Sequence, residues 1–156
     1  MTIRRAEPRD IPDMIALLYQ VGGVHHEIRP DLFRDNAIKY TPEQLEALLR
    51  DENSPIFIYD EDGDLAGYCF CQIRTYEGST VLTDRKELYI DDLCVDENRR
   101  GQHIGSALYD HAVAYAKEIG CAFLTLNVWC GNEGAMRFYE NAGLKPRNIT
   151  MEKKLC

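Results

Sequence analysis

Leu88-Tyr89-Ile90-Asp91-Asp92-Leu93-Cys94-Val95 reads as a strand whose alternation changes phase. Leu88 and Ile90 are apolar at even positions, Leu93 and Val95 at odd ones. A strand repeats its side-chain direction every two residues, so one extra residue sends every later side chain to the other face. The slip across Asp91-Asp92 therefore predicts a β-bulge. A bulge lets a strand diverge from its neighbour. It can also turn backbone N–H groups toward a ligand instead of a ladder.

Downstream, Asp96–Gly105 reads as a polar loop opening into a helix that runs to about Ile119. Ile104, Leu108, Ala112, Tyr115 and Ile119 keep helical spacing, and Gly120 ends it. Ala122–Trp129 reads as a strand with Leu124, Leu126 and Val128 on one face. Strand, helix and strand of this length predict a βαβ unit, with a parallel pair and a right-handed crossover. Asn132 then caps a last helix with Ala135, Phe138, Tyr139 and Ala142 on its apolar face and Gly143 as its stop. Residues 149–155 read as a final strand.

Upstream, residues 2–6 read as a short strand. Asp10 is the expected cap of a helix that carries Ile11, Met14, Ile15, Leu18 and Val21 on one face and ends at Gly22-Gly23. Thr41-Pro42-Glu43-Gln44 is a capping box with proline at the first helical position, and Leu45, Leu48 and Leu49 follow as a buried stripe. Ile56–Tyr59 and Leu65–Arg74 predict a hairpin about the turn Asp60–Asp64, and Glu77–Lys86 a longer connection. The expected fold is a single domain over 1–156, α/β (α+β by another convention). Its sheet is mixed and mostly antiparallel, with a splayed parallel pair and helices on both faces.

Composition bounds the function. The chain has 156 residues, 45% hydrophobic and 28% charged, which suits one soluble core. A net charge of -8 argues against nucleic acid as a partner and favours cationic substrates. No apolar run is long enough to span a membrane. MTIRRAEPRD lacks the apolar stretch of an export signal, so a cytoplasmic location is expected. The six cysteines contain no C-x-x-C pair. Cys69 and Cys71 share a strand face, poor spacing for zinc, so buried reduced thiols are expected.

The loop Arg99-Arg100-Gly101-Gln102-His103-Ile104-Gly105-Ser106 joins a strand to a helix. A helix start presents unpaired N–H groups and positive potential, the glycines allow close backbone approach, and the arginines add charge. Such a loop suits a pyrophosphate. It lacks both the P-loop pattern and the dinucleotide G-x-G-x-x-G pattern. A plain turn with a solvated arginine pair has the same composition.

Residues 88–144 resemble the GNAT superfamily of N-acetyltransferases. The family's loop pattern, Arg/Gln-x-x-Gly-x-Gly/Ala, is matched by Arg100-Gly101-Gln102-His103-Ile104-Gly105, with His103 in place of the middle glycine. Leu126-Asn127-Val128 followed by Asn132, Ala135, Phe138-Tyr139 and Gly143 carries the second half of the likeness. The resemblance implies acetyl-CoA as co-substrate and no metal. Its pantetheine arm would pair with the main chain of Leu93, Cys94 and Val95. Its pyrophosphate would sit on Arg100 through Ser106, with Asn132 beside the cofactor. A backbone N–H near Leu93 would stabilise the oxyanion, and Tyr139 would protonate the leaving thiolate, although Tyr139 also fits a core aromatic.

His103 is expected to be tolerated, since a helix-opening residue need not have positive φ. Asp91 and Asp92 are candidates for the general base or for substrate contact. His25-His26-Glu27 is expected in a loop between the first two helices, either plainly solvated or contacting substrate with Glu27 facing the acceptor's ammonium; adjacent side chains rarely converge on one metal. Ribosomal-protein acetyltransferases of this superfamily carry a glutamate where this chain has Asn127, which counts against that identity. The acceptor is expected to be a primary amine, small or on a protein, and a homodimer is left open. The rival readings are a CoA-binding sensor or subunit without catalysis, and a nucleotide binder.

Overall fold

The phase slip at Asp91 is a bulge in the sheet. The structure, a computed structural model, describes residues 2–156. Strand β3 (Asp64–Tyr76) runs antiparallel to β4 (Arg85–Val95). Phe70 faces Asp92 while Cys71 faces Ile90, so Asp91 is the extra residue. Leu88 and Ile90 pack in the core on one face of the sheet. Beyond the bulge it is Leu93 and Val95 that pack there, and Cys94 turns to the opposite face.

Five strands lie in chain order, with β1 (Thr2–Arg5) and β2 (Ile56–Glu61) before β3 and β4, and β5 (Phe123–Leu126) at the far edge. All neighbours are antiparallel except β4 and β5, which are parallel as expected. Helices cover both faces. One core, around Met14, Leu18, Leu45, Ile58 and Tyr68, lies under α1 (Ile11–Ile28) and α2 (Pro42–Arg50). The other, around Phe57, Cys69, Leu88 and Leu108, lies under α3 (Ile104–Glu118). A sheet covered on both faces explains why 56–59 and 68–71 read as continuous apolar runs.

Local signals set several boundaries. Thr41 and Gln44 form the capping box, with bonds of 3.2 and 2.9 Å. The hairpin turn is tighter than the expected Asp60–Asp64: β2 and β3 continue to Asp62-Gly63, both at positive φ (53° and 92°), the backbone of a two-residue hairpin turn. Asp10 precedes α1, yet its carboxylate does not cap it. Arg4 holds both oxygens at 2.8 Å, and the Glu7 N–H donates to one of them. Asn132 caps α4 (Glu133–Asn141) through the Ala135 N–H, and Gly143 follows at φ 97°.

Several expectations fail. Helix α1 does not stop at Gly22-Gly23 but continues to Ile28, so His25-His26-Glu27 forms its last turn and not a loop. Packing overrides the helix penalty of glycine: a Cβ on Gly22 would lie 2.4 Å from the Ala37 carbonyl oxygen. Strand β5 stops at Leu126, short of Trp129, and residues 149–155 form no strand. Cys130 and Cys156 are exposed, although Cys69, Cys71 and Cys94 are buried.

The two adjacent glycines should behave oppositely. Gly22→Ala forces a backbone clash and should lower stability by about 1–3 kcal/mol. Gly23→Ala meets open space and should raise it by up to ~1 kcal/mol through helix propensity. Thermal melts of the two variants measure both signs.

Candidate active site

Strands β4 and β5 pair only from Glu87 to Ile90, against Phe123 to Leu126. Past the bulge, one edge of β4 is therefore open. Which groups face that edge follows from the register. The Asp96 N–H donates to the Ala66 carbonyl at 2.8 Å, continuing the ladder in which Val95 faces Gly67. Antiparallel bonding alternates, so Cys94 and Asp92 also bond toward β3, while Leu93 and Val95 direct N–H and C=O to the open edge. Of the three residues expected to pair with a ligand, alternate ones face the gap.

The loop after β4 closes one end of that gap. Asp96 accepts from the Asn98 N–H at 3.1 Å and starts a short 3-10 turn over Glu97–Arg99. Arg99 reaches back to Glu61 at 2.6 Å and Asp64 at 3.4 Å, tying the loop to the β2–β3 turn. Arg100 is exposed and makes no ion pair among the described residues. Gly101 has φ 83°. The N–H groups of Ile104, Gly105 and Ser106 lie in the first turn of α3, where no helical carbonyl precedes them. A cavity of about 280 Å³ opens here, lined among others by Val95, Arg100, Gly101, His103, Gly105 and Ser106. Gln102 is exposed at the rim.

His103 departs from expectation. Its φ of 61° and ψ of 22° are left-handed, so the position does demand what glycine supplies best. Histidine is among the residues that enter this region more readily than most. Gly105, by contrast, is helical. A Cβ there would meet Val95, Leu93 and Phe138 at 3.6 to 3.8 Å, so a small side chain fits but a large one fills the cavity.

Three tyrosines and two aspartates lie around the bulge and the gap. The Asp92 carboxylate accepts from the Tyr68 hydroxyl at 2.7 Å. Burial pushes its pKa up to about 6, while the Tyr68 bond and the Lys39 charge pull it down and Asp91 pushes further up. Asp91 is engaged differently: it accepts from the Tyr40 hydroxyl at 2.5 Å and from Lys39 Nζ at 2.9 Å. Tyr139 is half-buried against Tyr109 and Phe138. Burial, with the charges of Cys69 and Asp92, drives its pKa well above the usual tyrosine value, so it carries its proton at neutral pH. No side chain among the described residues hydrogen-bonds its hydroxyl. Asp92 bonds Tyr68 on the α1 face, and Tyr139 packs with Tyr109 on the α3 face.

Lys39, Tyr40 and Tyr68 escape a sequence reading. Tyr68 sits in an apolar run, and only the strand register brings it to Asp92. Nothing near Lys39-Tyr40 announces that they fasten the loop before α2 to the bulge. The last turn of α1 faces the stretch after β5. His26 Nδ1 lies 2.7 Å from the Phe33 carbonyl, and the Phe33 ring packs on both His25 and Trp129. Glu27 is exposed beside them. Asn127 donates to the Tyr89 hydroxyl at 3.1 Å. Among the described residues no His, Cys, Asp and Glu cluster is arranged to hold a metal ion, and no helix is long and apolar enough to cross a membrane.

Comparison with known proteins agrees with this geometry. Residues 23–144 match the model of the acetyltransferase (GNAT) family. The chain is 24% identical over 148 residues to an uncharacterized N-acetyltransferase of Methanocaldococcus jannaschii, covering 95% of this chain and 62% of that protein. Over 84 residues it is 32% identical to a mycothiol acetyltransferase of Propionibacterium freudenreichii, covering 54% of this chain and 25% of that one. The chain thus spans less than two thirds of the length of these curated relatives. A crystal structure of a mutant of the BH1408 protein from Bacillus halodurans superposes with a TM-score of 0.95 at 30% identity, over the whole of both chains. By its matched residues, its bulged and splayed strand pair and its loop at the start of α3, the chain belongs to the GNAT family of acetyltransferases.

Proposed function

We propose that this protein transfers the acetyl group of acetyl-CoA to a primary amine by direct attack. The observation that carries the reading is the open edge of β4, where Leu93 and Val95 present unpaired main-chain groups beside the cavity at the start of α3. The residues present fit the co-substrate. Leu93 and Val95 would hold the amides of the pantetheine arm as a strand would, with the Cys94 backbone between them. The N–H groups from Gly101 through Gln102, His103, Ile104 and Gly105 to Ser106, with the unpaired Arg100, would hold the pyrophosphate. Asn132, whose Oδ1 caps α4, keeps its side-chain NH₂ for the cofactor. The thioester supplies an acetyl group already activated for transfer.

The chain's own groups then divide the proton work. Asp92 takes a proton from the acceptor ammonium, leaving the amine nitrogen free to bond the thioester carbonyl carbon. The Leu93 N–H donates to the carbonyl oxygen as it gains charge. The carbon–sulfur bond breaks, Tyr139 gives its proton to the departing sulfur, and the second proton leaves the nitrogen through water to restore Tyr139. Asp91, held by Tyr40 and Lys39, positions the bulge and adds negative charge beside Asp92. The net charge of -8 and the exposed Glu27 support a cationic acceptor. The six free cysteines fit a reducing, cytoplasmic setting. Release of CoA thiol from acetyl-CoA over a panel of diverse amines tests the reading. CoA binding with no thiol release for any amine would favour a sensor or subunit.

Three outcomes are specific to these residues. Gly105→Leu should raise the acetyl-CoA dissociation constant at least ~tenfold, about 1.4 kcal/mol, in a chain whose melting temperature is kept. An unchanged constant removes the loop from the site.

The base is charged only above its pKa, so kcat/KM should rise with pH through about 6 and fall on the acid side. Asp92→Asn should abolish that limb and cut kcat by about 10²–10⁴. A limb that survives in the Asn variant belongs to another group.

Tyr139→Phe should lower kcat by a similar factor, roughly 10²–10⁴, with acetyl-CoA affinity nearly unchanged. Wild-type kcat in a well-folded Phe variant would leave water as the proton donor.

A further inference from the structure

The proton steps use Asp92 and Tyr139, yet the α1 side of the gap carries aromatic side chains that those steps leave idle. Leu88, Ile90, Leu124 and Leu126 pack in the core under α3. Side chains alternate along a strand, so Tyr89 and Asn127 project on the α1 side, where the Asn127 amide donates to the Tyr89 hydroxyl. Two residues further, Trp129 meets the Phe33 ring edge to face at 5.0 Å, and Phe33 packs against His25 of α1 at 4.9 Å. Trp129 keeps 39% exposure at a point where β5 has already ended. Tryptophan is usually well buried in a folded chain, so an open indole backed by a second ring offers contact area to a ligand.

This aromatic row and the bulge share one neighbourhood. Burial holds the His25 pKa low and the Lys39 charge lowers it further, so His25 adds no charge at neutral pH and Lys39 stands near it. The same Lys39 donates to Asp91 at 2.9 Å, and its charge also reaches Asp92. Charge is unevenly divided here. Asp91 is occupied by Lys39 and by the Tyr40 hydroxyl, whereas the one side chain that bonds Asp92 among the described residues is the neutral Tyr68. Of the two carboxylates at the bulge, one is therefore left to meet a cation. Two cations border the same side: Lys39, and Arg74 with its guanidinium carbon 3.8 Å from the centre of the Tyr89 ring.

Resting on the acetyl-transfer reading, we propose that the acceptor is an amine with one positive charge and an aromatic body. Its ammonium meets Asp92, and its ring lies against Trp129 and Phe33. A second ammonium on the acceptor would stand near Lys39 or Arg74 with no carboxylate at the bulge to receive it, and like charges there repel. A body without a ring would leave the indole in water. Apolar contact supplies the affinity and the single carboxylate the orientation, the division of labour found in small-molecule sites.

Trp129 is the chain's one tryptophan, so its emission reports on this surface. Phenethylamine added to the full chain with CoA present should change that emission saturably, while propylamine and spermidine at equal concentration should not. In the thiol-release assay, kcat/KM for phenethylamine or phenylbutylamine should exceed that for propylamine and for spermidine at least ~tenfold, the low end of what burying one ring yields. Trp129→Ala and Phe33→Ala should remove that preference, bringing kcat/KM for phenethylamine down to the propylamine level. A merely structural role would lower the two amines alike and keep their ratio. Lys39→Gln should raise the ratio of spermidine to phenethylamine turnover. Propylamine or spermidine turned over as well as the phenylalkylamines overturns the inference; spermidine would be, were its far ammonium held by Glu27. So does Trp129 emission that ignores the phenylalkylamines. Thiol release from no amine at all overturns the acetyl-transfer reading, and this inference with it.

Discussion

One extra residue in β4 sets the geometry of everything around it. Were Asp91 paired opposite Phe70 in a regular ladder, β4 could remain paired with β5 past Ile90. Asp92 would then fall on the α3 face and lose Tyr68. With Asp91 bulged out, three consequences arise together. The β4–β5 pairing ends, Leu93 and Val95 turn their main chain to the gap, and Asp92 points to the face that α1 and α2 cover. A bulge is costly to misplace, because a shift of one residue exchanges the faces of every later side chain. Lys39 and Tyr40 hold Asp91 from the loop before α2, so the bulge is also clamped from outside the sheet.

The loop at the start of α3 shows how backbone conformation and charge are divided among neighbours. Gly101 takes a left-handed turn at no steric cost, and His103 takes another at a cost of roughly 1–3 kcal/mol. Such a conformation persists only where its surroundings determine it. Here Arg99 fastens the loop to Glu61 and Asp64, and α3 begins immediately after His103. The two adjacent arginines thus differ: Arg99 is structural, while Arg100 makes no ion pair among the described residues and its charge is available to an anion.

What could be read in the sequence was local. The phase slip at Asp91, the capping box at Thr41 and the cap at Asn132 each involve residues within a turn or a strand of one another. What could not be read depended on distant contacts. The Gly22-Gly23 pair looks like a helix stop, and the reason it is not one lies at Ala37. The Tyr68–Asp92 bond links residues 24 apart through strand register. The left-handed backbone at His103 reflects closure of the whole loop, not a preference of histidine. Residues 149–155 carry a strand's pattern, but a pattern forms a ladder only where an edge is in reach.

The proposed arrangement of acid and base follows from the splay. Placed on the same face, the proposed base and acid could bond each other directly. Here the sheet separates them: Asp92 is tethered to Tyr68 on the α1 side, and Tyr139 is packed with Tyr109 on the α3 side. They influence each other electrostatically, since Asp92 contributes to the raised pKa of Tyr139, but not by a direct bond. In the proposed reaction both would act on one carbonyl where β4 and β5 part, the acceptor entering from one face and the thiol leaving toward the other. In that reaction the amine adds to one face of the planar thioester carbon and the thiolate leaves from the tetrahedral carbon that results, so acceptor and thiol need separate paths. A gap through the sheet, lined by main-chain donors and flanked by the proposed base and acid, answers that demand more directly than a pocket on either face.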